Sequence, residues 1–288
     1  MTDSLKTDLL CPVCGAALAC DPEGRRFFCD AGHSYDRARA GYVHLLLPNR
    51  AGSDTPGDDR EMVRARSTFL ESGAYAPLSD AVNSLCMAFA RSGEYTAPLL
   101  LADAGCGEGY YTNRLAAALQ SCGVDARVYG FDVSKHACAH GAAAARRQGL
   151  CVRYAVASLF AIPMAAQSCD VLVNIFAPCA QEEFHRVLRR GGLLCMVVPA
   201  ADHLLQLKKI LYDTPYENKI RRDALAGFAL RQVEPLRYSF LLGAHRMELL
   251  HMTPYYFRTP REGIARLRAQ VEPFEVMAAF DVLLYERL

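Results

Sequence analysis

No apolar run in this 288-residue chain approaches the length of a membrane-spanning helix, and no basic segment leading into a short apolar stretch opens it. A cytoplasmic protein with no membrane partner is therefore expected. Net charge is almost absent as well, with 32 Lys and Arg facing 31 Asp and Glu, which excludes a uniformly basic protein that coats nucleic acid. Charge is nevertheless uneven, because residues 203–268 hold twelve Lys or Arg against six Asp or Glu, a balance suited to phosphate contacts. No internal repeat stands out, and the only compositional tract is the alanine run at 142–145. Most of the twelve cysteines lie singly inside apolar strands or helices, as Cys151, Cys169 and Cys195 do, where a free thiol behaves as a small hydrophobe rather than half of a disulfide.

Four metal-ligand candidates are organised differently. Cys11-Pro-Val-Cys14-Gly15 is followed by Cys29-Asp-Ala-Gly32-His33, with fourteen residues between Cys14 and Cys29. Each pair presents two donors from one turn, with a glycine free to take positive φ, and four such donors close a tetrahedron around zinc with no open position. One structural zinc per chain is expected on Cys11, Cys14, Cys29 and His33, with Cys20 the only rival ligand nearby. Arg25 to Phe28 lie between the pairs in a strand-like hairpin.

The chain is organised around Leu99-Leu-Leu-Ala-Asp103-Ala-Gly105-Cys-Gly107-Glu108-Gly109-Tyr110-Tyr111. An apolar run of this kind reads as a buried strand, the alternate glycines as a sharp turn open to a ligand, and Tyr111 to Leu119 as a helix. Ligands of open parallel sheets lie at the carboxyl ends of the strands, so a nucleotide-like cofactor belongs here. Asp103 and Glu108 would repel a pyrophosphate, and Tyr110 stands where a dinucleotide fingerprint wants its last glycine. Carboxylates instead suit S-adenosylmethionine, whose ammonium and sulfonium groups are cationic. Asp132, closing the next apolar run, fits a ribose-hydroxyl role with either cofactor.

Strands near Val128, Cys151 to Ala157, Cys169 to Ile175 and Leu193 to Val198 alternate with helices His136 to Arg147, Gln181 to Leu188 and Ala201 to Tyr212, predicting a parallel α/β sheet. Arg189-Arg190-Gly191-Gly192 reads as a helix C-terminus. A basic helix near Lys219 to Leu225, a strand Tyr238 to Leu242, a helix Arg261 to Ala269 and a last strand Ala279 to Glu286 complete the pattern. Ahead of the glycine loop, a Gly/Pro/Asp-rich linker (Asn49 to Asp59) leads to a helix capped by Asp58 or Asp59. Gly73 to Pro77 then breaks it before a second helix, Leu78 to Ala90. The expected division is a zinc-binding domain over 1–48, a linker and helical cover over 49–95, and an α/β, S-adenosylmethionine-binding domain over 96–288.

Assembled in order, these pieces resemble the 23S ribosomal-RNA guanine-N1 methyltransferases of the RlmA type. The zinc module, Gly41-Tyr42-Val43, Pro56-Gly57-Asp58, Gly73-x-Tyr75, the Asp103 to Tyr111 loop, Asp132-Val-Ser-Lys135, Ala177-Pro178, His203-Leu204 and Leu207-Lys208 carry the resemblance. It implies a class I (Rossmann-like) S-adenosylmethionine-dependent methyltransferase with a small N-terminal zinc domain. It also implies a homodimer that methylates one guanine N1 in a domain II hairpin of 23S rRNA. Tyr75, Gly107, Glu108 and His203 would then contact the cofactor, beside Asp103, Gly105 and Asp132. Asn174 and Phe176, in the loop where related amino-methyltransferases hold the target base, are the substrate-binding candidates. That loop lacks the Pro-Pro-aromatic form, consistent with a ring-nitrogen acceptor. No catalytic base is identifiable. The alternatives are a small-molecule methyltransferase, which has no use for the zinc module, and a non-catalytic zinc-dependent RNA-binding protein.

Overall fold

In the computed structural model, residues 5–47, 57–93, 95, 97–220, 222 and 224–288 are described; most of the expected linker, Asn49 to Asp59, lies outside them. The N-terminal segment builds a four-stranded antiparallel sheet from β1 (Leu5–Leu10), β2 (Ala17–Cys20), β3 (Arg26–Phe28) and β4 (Ser34–Asp36). It is followed by β5 (Val43–His44), α1 (Arg60–Glu71), α2 (Ala76–Ser92), β6 (Leu99–Ala104), α3 (Tyr110–Ser121), β7 (Ala126–Asp132), α4 (Lys135–Arg147) and β8 (Val152–Val156). The remainder is β9 (Cys169–Ile175), α5 (Gln181–Val187), β10 (Leu188–Pro199), α6 (Leu205–Leu211), β11 (Phe228–Leu242), α7 (Arg246–His251), α8 (Arg261–Ala269) and β12 (Phe274–Arg287).

Eight strands pair in the order β11-β12-β10-β9-β6-β7-β8-β5, parallel from β10 to β5 and antiparallel at β12 and β11. Every residue of β6 and β9 is buried, which is why their apolar stretches, 99–102 and 171–173, have no polar alternation; the polar Asp103, Asp170 and Asn174 are buried with them. The chain winds outward from β6 to β8, then returns to β9 on the other side of β6. Winding therefore reverses between β6 and β9, and a crevice opens there at the carboxyl ends. The helix starts are locally encoded: Asp59 caps α1 by accepting from the Met62 amide at 2.9 Å, and Ser134 caps α4 by accepting from Ala137 at 3.2 Å.

The zinc module does not stand apart from this sheet. Val43 and His44 pair with β8, and Leu10 donates to the Pro163 carbonyl at 2.8 Å. Asp8 receives both Arg127 (2.8 Å) and the Tyr129 hydroxyl (2.7 Å). Leu9, Leu18 and Phe27 share one apolar core with Leu100, Tyr129 and Phe131.

Several sequence expectations give way here. Among the described residues of 219–225 there is no helix: this stretch follows Pro215, its Asn218 is drawn to the Ala200 and His203 carbonyls, and Arg222 reaches the buried Asp281 carboxylate at 3.0 Å. Helix α6 starts only at Leu205, because Leu204 takes a left-handed conformation (φ 56°) and gives its amide to Met277. Arg189 to Gly192 belong to β10 rather than to a helix end, where a register shift accommodates them and Arg189 pairs with Asp170 at 2.6 Å. β11 begins ten residues before the expected Tyr238, since an edge strand tolerates Pro235 and a polar outer face. Cys151 precedes β8 and is exposed, unlike the buried Cys169 and Cys195.

Candidate functional site

At the N-terminus, the Sγ atoms of Cys11, Cys14 and Cys29 and a ring nitrogen of His33 all lie within 4.8 Å of one another. Cys14 and Cys29 sulfurs are 3.7 Å apart and Cys29 sulfur is 3.4 Å from His33 Nδ1. The edge of a zinc–thiolate tetrahedron is about 3.8 Å for a metal–sulfur bond of about 2.3 Å, close to these two separations, so the donor set fits zinc. Gly15 (φ 74°) and Gly32 (φ 84°) make the two tight turns, and the Tyr35 hydroxyl stands 3.1 Å from Cys11 sulfur as an outer partner. The rival Cys20 lies outside the cluster.

At the crevice, the glycine loop shows why its glycines alternate. A Cβ on Gly105 would sit 2.4 Å from Ala177 Cβ, and one on Gly109 would strike the Tyr154 hydroxyl at 2.3 Å and the Gly141 backbone at 2.8 Å. Gly107 meets only an Arg66 nitrogen at 3.5 Å, so the middle glycine faces space while its neighbours are packed. Asp132 anchors the loop, accepting from the Gly107 amide at 3.0 Å and from the Ser134 amide at 2.8 Å; each oxygen keeps a second lone pair.

Asp103 and Glu108 are buried around this turn. Asp103 accepts from the Thr112 hydroxyl at 2.5 Å through one oxygen, while its other oxygen is buried with no partner. Burial, opposed by the Thr112 bond and reinforced by the charges of Asp132 and Glu108, pushes the Asp103 carboxyl up to about 7. Burial likewise raises Glu108 and Asp132, with Arg66 pulling the other way in both. Arg66 itself is committed to Asp58. A pocket with three crowded carboxyls, one orphaned oxygen and one already paired guanidinium fits a cationic ligand and disfavours a pyrophosphate. S-adenosylmethionine has that charge, and the residues present fit it.

Tyr75 and His203 are brought together as expected. Both are buried, and the Tyr75 hydroxyl is 3.4 Å from His203 Nε2. His203 Nδ1 accepts from the Ala279 amide at 3.3 Å, so the ring proton sits on Nε2 and points at Tyr75. Burial, with the nearby Lys208 charge, pushes the His203 imidazole down to about 3 and keeps it neutral. Phe176 adopts φ 55° at the end of β9 and is half-exposed, its ring 5.4 Å from Phe280. Asn174 spends both amide hydrogens on the Ala104 (2.9 Å) and Pro178 (3.3 Å) carbonyls, so it holds the β6 and β9 loops together.

Three residues of the site escaped the sequence reading. Phe280 is the hub, with ring centroids 4.6 Å from His203 and 5.2 Å from Tyr75; its place follows from β12 inserting beside β10, which no local motif announces. Arg66 sits in an ordinary amphipathic helix. Tyr111 carries a buried hydroxyl without a partner close to Glu108 and Tyr75; its position directly after the glycine loop was the available signal.

Comparison with known proteins agrees with both centres. A methyltransferase-domain family model matches residues 101–192, and a model described as the RlmA N-terminal domain, a zinc ribbon, matches residues 9–51. A Micromonospora griseorubida protein provisionally assigned as a 23S rRNA (guanine-N1)-methyltransferase is 36% identical over 99% of both chains. The Bacillus subtilis protein YxjB, assigned in the same provisional way, is 30% identical over 95% of both. A Streptomyces fradiae 23S rRNA (guanine(748)-N1)-methyltransferase is 35% identical over 69% of this chain and 66% of its own.

Proposed function

The chain belongs to the 23S rRNA (guanine-N1)-methyltransferase family, and from that premise we propose that it transfers a methyl group from S-adenosylmethionine to N1 of a guanine in 23S rRNA: the sulfur–methyl bond breaks as the N1–methyl bond forms, S-adenosylhomocysteine leaves, and the N1 proton is lost. The observation that carries this reading is the coincidence, in one chain, of a carboxylate-lined glycine loop at the reversal of the sheet and a closed three-thiol, one-imidazole metal site.

Bound at the crevice, S-adenosylmethionine supplies an electrophilic methyl group on a positively charged sulfur. Asp103 and Glu108 balance the positive charge, and Asp132 offers its free lone pairs to ribose hydroxyls while fixing Gly107. The Tyr75 hydroxyl accepts a hydrogen bond from His203 Nε2–H and so keeps its own O–H to donate to an acceptor in the pocket. A guanine within a stem hides N1 in a base pair, so the target must be unpaired or extruded before attack. Phe176 would stack on it, a role supported by its half-exposed ring at the loop after β9, which Asn174 holds. The residues chiefly supply proximity and alignment, which carry much of the rate in such a displacement.

The division of labour proposed is RNA recognition by residues 1–48, cover by 49–95 and catalysis by 96–288. A homodimer, a cytoplasmic location and a target in a domain II hairpin belong to the same proposal. Among the described residues no helix is long and apolar enough to cross a membrane.

The test is incubation of the zinc-loaded protein with methyl-labelled S-adenosylmethionine and unmodified 23S rRNA, followed by digestion to nucleosides. Label in N1-methylguanosine is expected. Label in N2-methylguanosine, or none in RNA, would refute the assignment.

A further inference from the structure

Two neighbouring segments present exposed apolar side chains together: the rings of Phe257 (72% exposed) and Tyr216 (43%), and Ile220 (60%); clustered exposure of this kind, unlike scattered exposure, points to a binding surface. The segments are zipped to each other: Tyr212 and Thr259 hydroxyls are 3.2 Å apart, and the Tyr255 hydroxyl donates to Asn218 Oδ1 at 3.1 Å. Lys208, wholly buried, braces the junction from beneath. Its ammonium donates to the Tyr216 carbonyl (3.0 Å) and to Asn218 Oδ1 (2.7 Å), and lies 4.4 Å from the Tyr216 ring and 5.0 Å from that of Tyr255.

The location of this shelf is fixed at both ends by the site. Asn218 donates to the carbonyls of Ala200 and His203, so one end is tied to the turn that carries His203. The Met252 carbonyl accepts from Arg66 at 3.5 Å, tying the other end to the helix beside the glycine loop. Exposed Lys219 and Arg258 stand on the same two segments, with exposed Lys209 and Arg261 just outside them; of the two acids there, Asp213 is paired with Arg266 at 3.1 Å and Glu217 is exposed with its charge acting on Lys208. Aromatic faces interleaved with cations on the rim of a nucleotide-modifying site suit one ligand class above others, unpaired nucleobases with their phosphates.

We propose that the shelf formed by residues 212–220 and 255–258 stacks the unpaired bases that flank the target guanine, holding the strand open while the guanine enters the crevice. This rests on the rRNA reading above. Extrusion of one base leaves its neighbours without a stacking partner, and exposed rings replace the lost contact irrespective of base identity. Such a platform also gives the buried Lys208 a role: its hydrogen bonds to the Tyr216 carbonyl and Asn218 rigidify the shelf.

The experiment uses the full-length, zinc-loaded protein and a 23S rRNA transcript, with variants F257A, Y216A and F257W. Calorimetry with S-adenosylmethionine reports on the fold, and sedimentation reports on association. Each alanine variant is expected to raise KM for RNA about tenfold, in line with the loss of one stacked base. Cofactor affinity and kcat stay within about twofold, and F257W restores KM. The salt dependence of RNA binding should be unchanged in F257A but shallower by about one unit of slope in R258Q. If Y216A also loses cofactor binding because its ring covers Lys208, F257A alone decides. Wild-type KM in F257A overturns the proposal. A change of oligomeric state in F257A overturns it too, by making the shelf an interface between copies. Failure of the wild-type protein to methylate the transcript overturns the functional reading itself and this inference with it.

Discussion

Both the N-terminal module and the glycine-loop crevice concentrate groups that favour positive charge, but they do so in opposite ways. Around residues 11–33 four donor atoms converge within 4.8 Å and leave no open position. Around residues 103–132 the carboxylates are spread about a backbone turn, all three already accept hydrogen bonds from it or from α3, and one buried oxygen has no partner. The first arrangement holds a small divalent ion permanently, since strands of three to six residues around it bury little on their own. The second leaves room for a larger, exchangeable cation. The comparison teaches that ligand spacing separates a structural cation from a cofactor more sharply than ligand charge does.

The largest effect should come from breaking the metal site. Cys29→Ser or exhaustive chelation is expected to abolish RNA methylation, with a calorimetric dissociation constant for S-adenosylmethionine within about threefold of wild type. Equal loss of both would mean that the core shared by Leu9, Phe27 and Tyr129 makes the two regions one cooperative unit. Next, Asp103→Asn and Glu108→Gln should each raise that constant about 10- to 100-fold, the cost of one charge-assisted contact; unchanged affinity would remove these carboxyls from the site.

A third test separates packing from binding within the loop. Gly109→Ala must push against Tyr154 and the Gly141 backbone, so a stability loss of about 2 kcal/mol or more is expected by denaturant titration. Gly107→Ala meets open space and should cost about 1 kcal/mol, from φ 55° alone, yet weaken cofactor binding more than Gly109→Ala does in the protein that remains folded.

The smallest effect is a proton. Asp103 is raised from an ordinary value near 4 to about 7, so the free folded protein binds a proton that the unfolded chain releases. This carboxyl's contribution to the stability of the free protein therefore falls as pH rises from about 4 to about 7. A cationic ligand favours the ionised form, so its affinity should rise over that window and level off above it. Calorimetry in buffers of different ionisation enthalpy should find release of about one proton at pH 6 and almost none above pH 8, and Asp103→Asn should abolish it.

Much of this was legible from local signals. The metal ligands followed from two short spacings, and the central strands from apolar runs that must be buried on both faces. Tyr75 and His203 entered only through family resemblance, being 128 residues apart in sequence. What stayed hidden depends on tertiary placement. β11 carries an outward polar face and Pro235 because it is an edge, so its pattern is diluted. Phe280 reaches the site only because β12 lies antiparallel against β10. The absence of a helix among the described residues of 219–225 has its cause in Asn218 and Arg222 finding distant partners, which no window of neighbouring residues contains.

The most direct measurement is reverse-transcription mapping of 23S rRNA from cells with and without the gene for this chain, supported by mass spectrometry of the stopped fragment. Methylation at N1 blocks Watson–Crick pairing and halts the polymerase, so the account predicts one stop at a guanine that vanishes when the gene is removed and returns with the wild-type protein but not with Glu108→Gln. An identical stop pattern in both strains would contradict it.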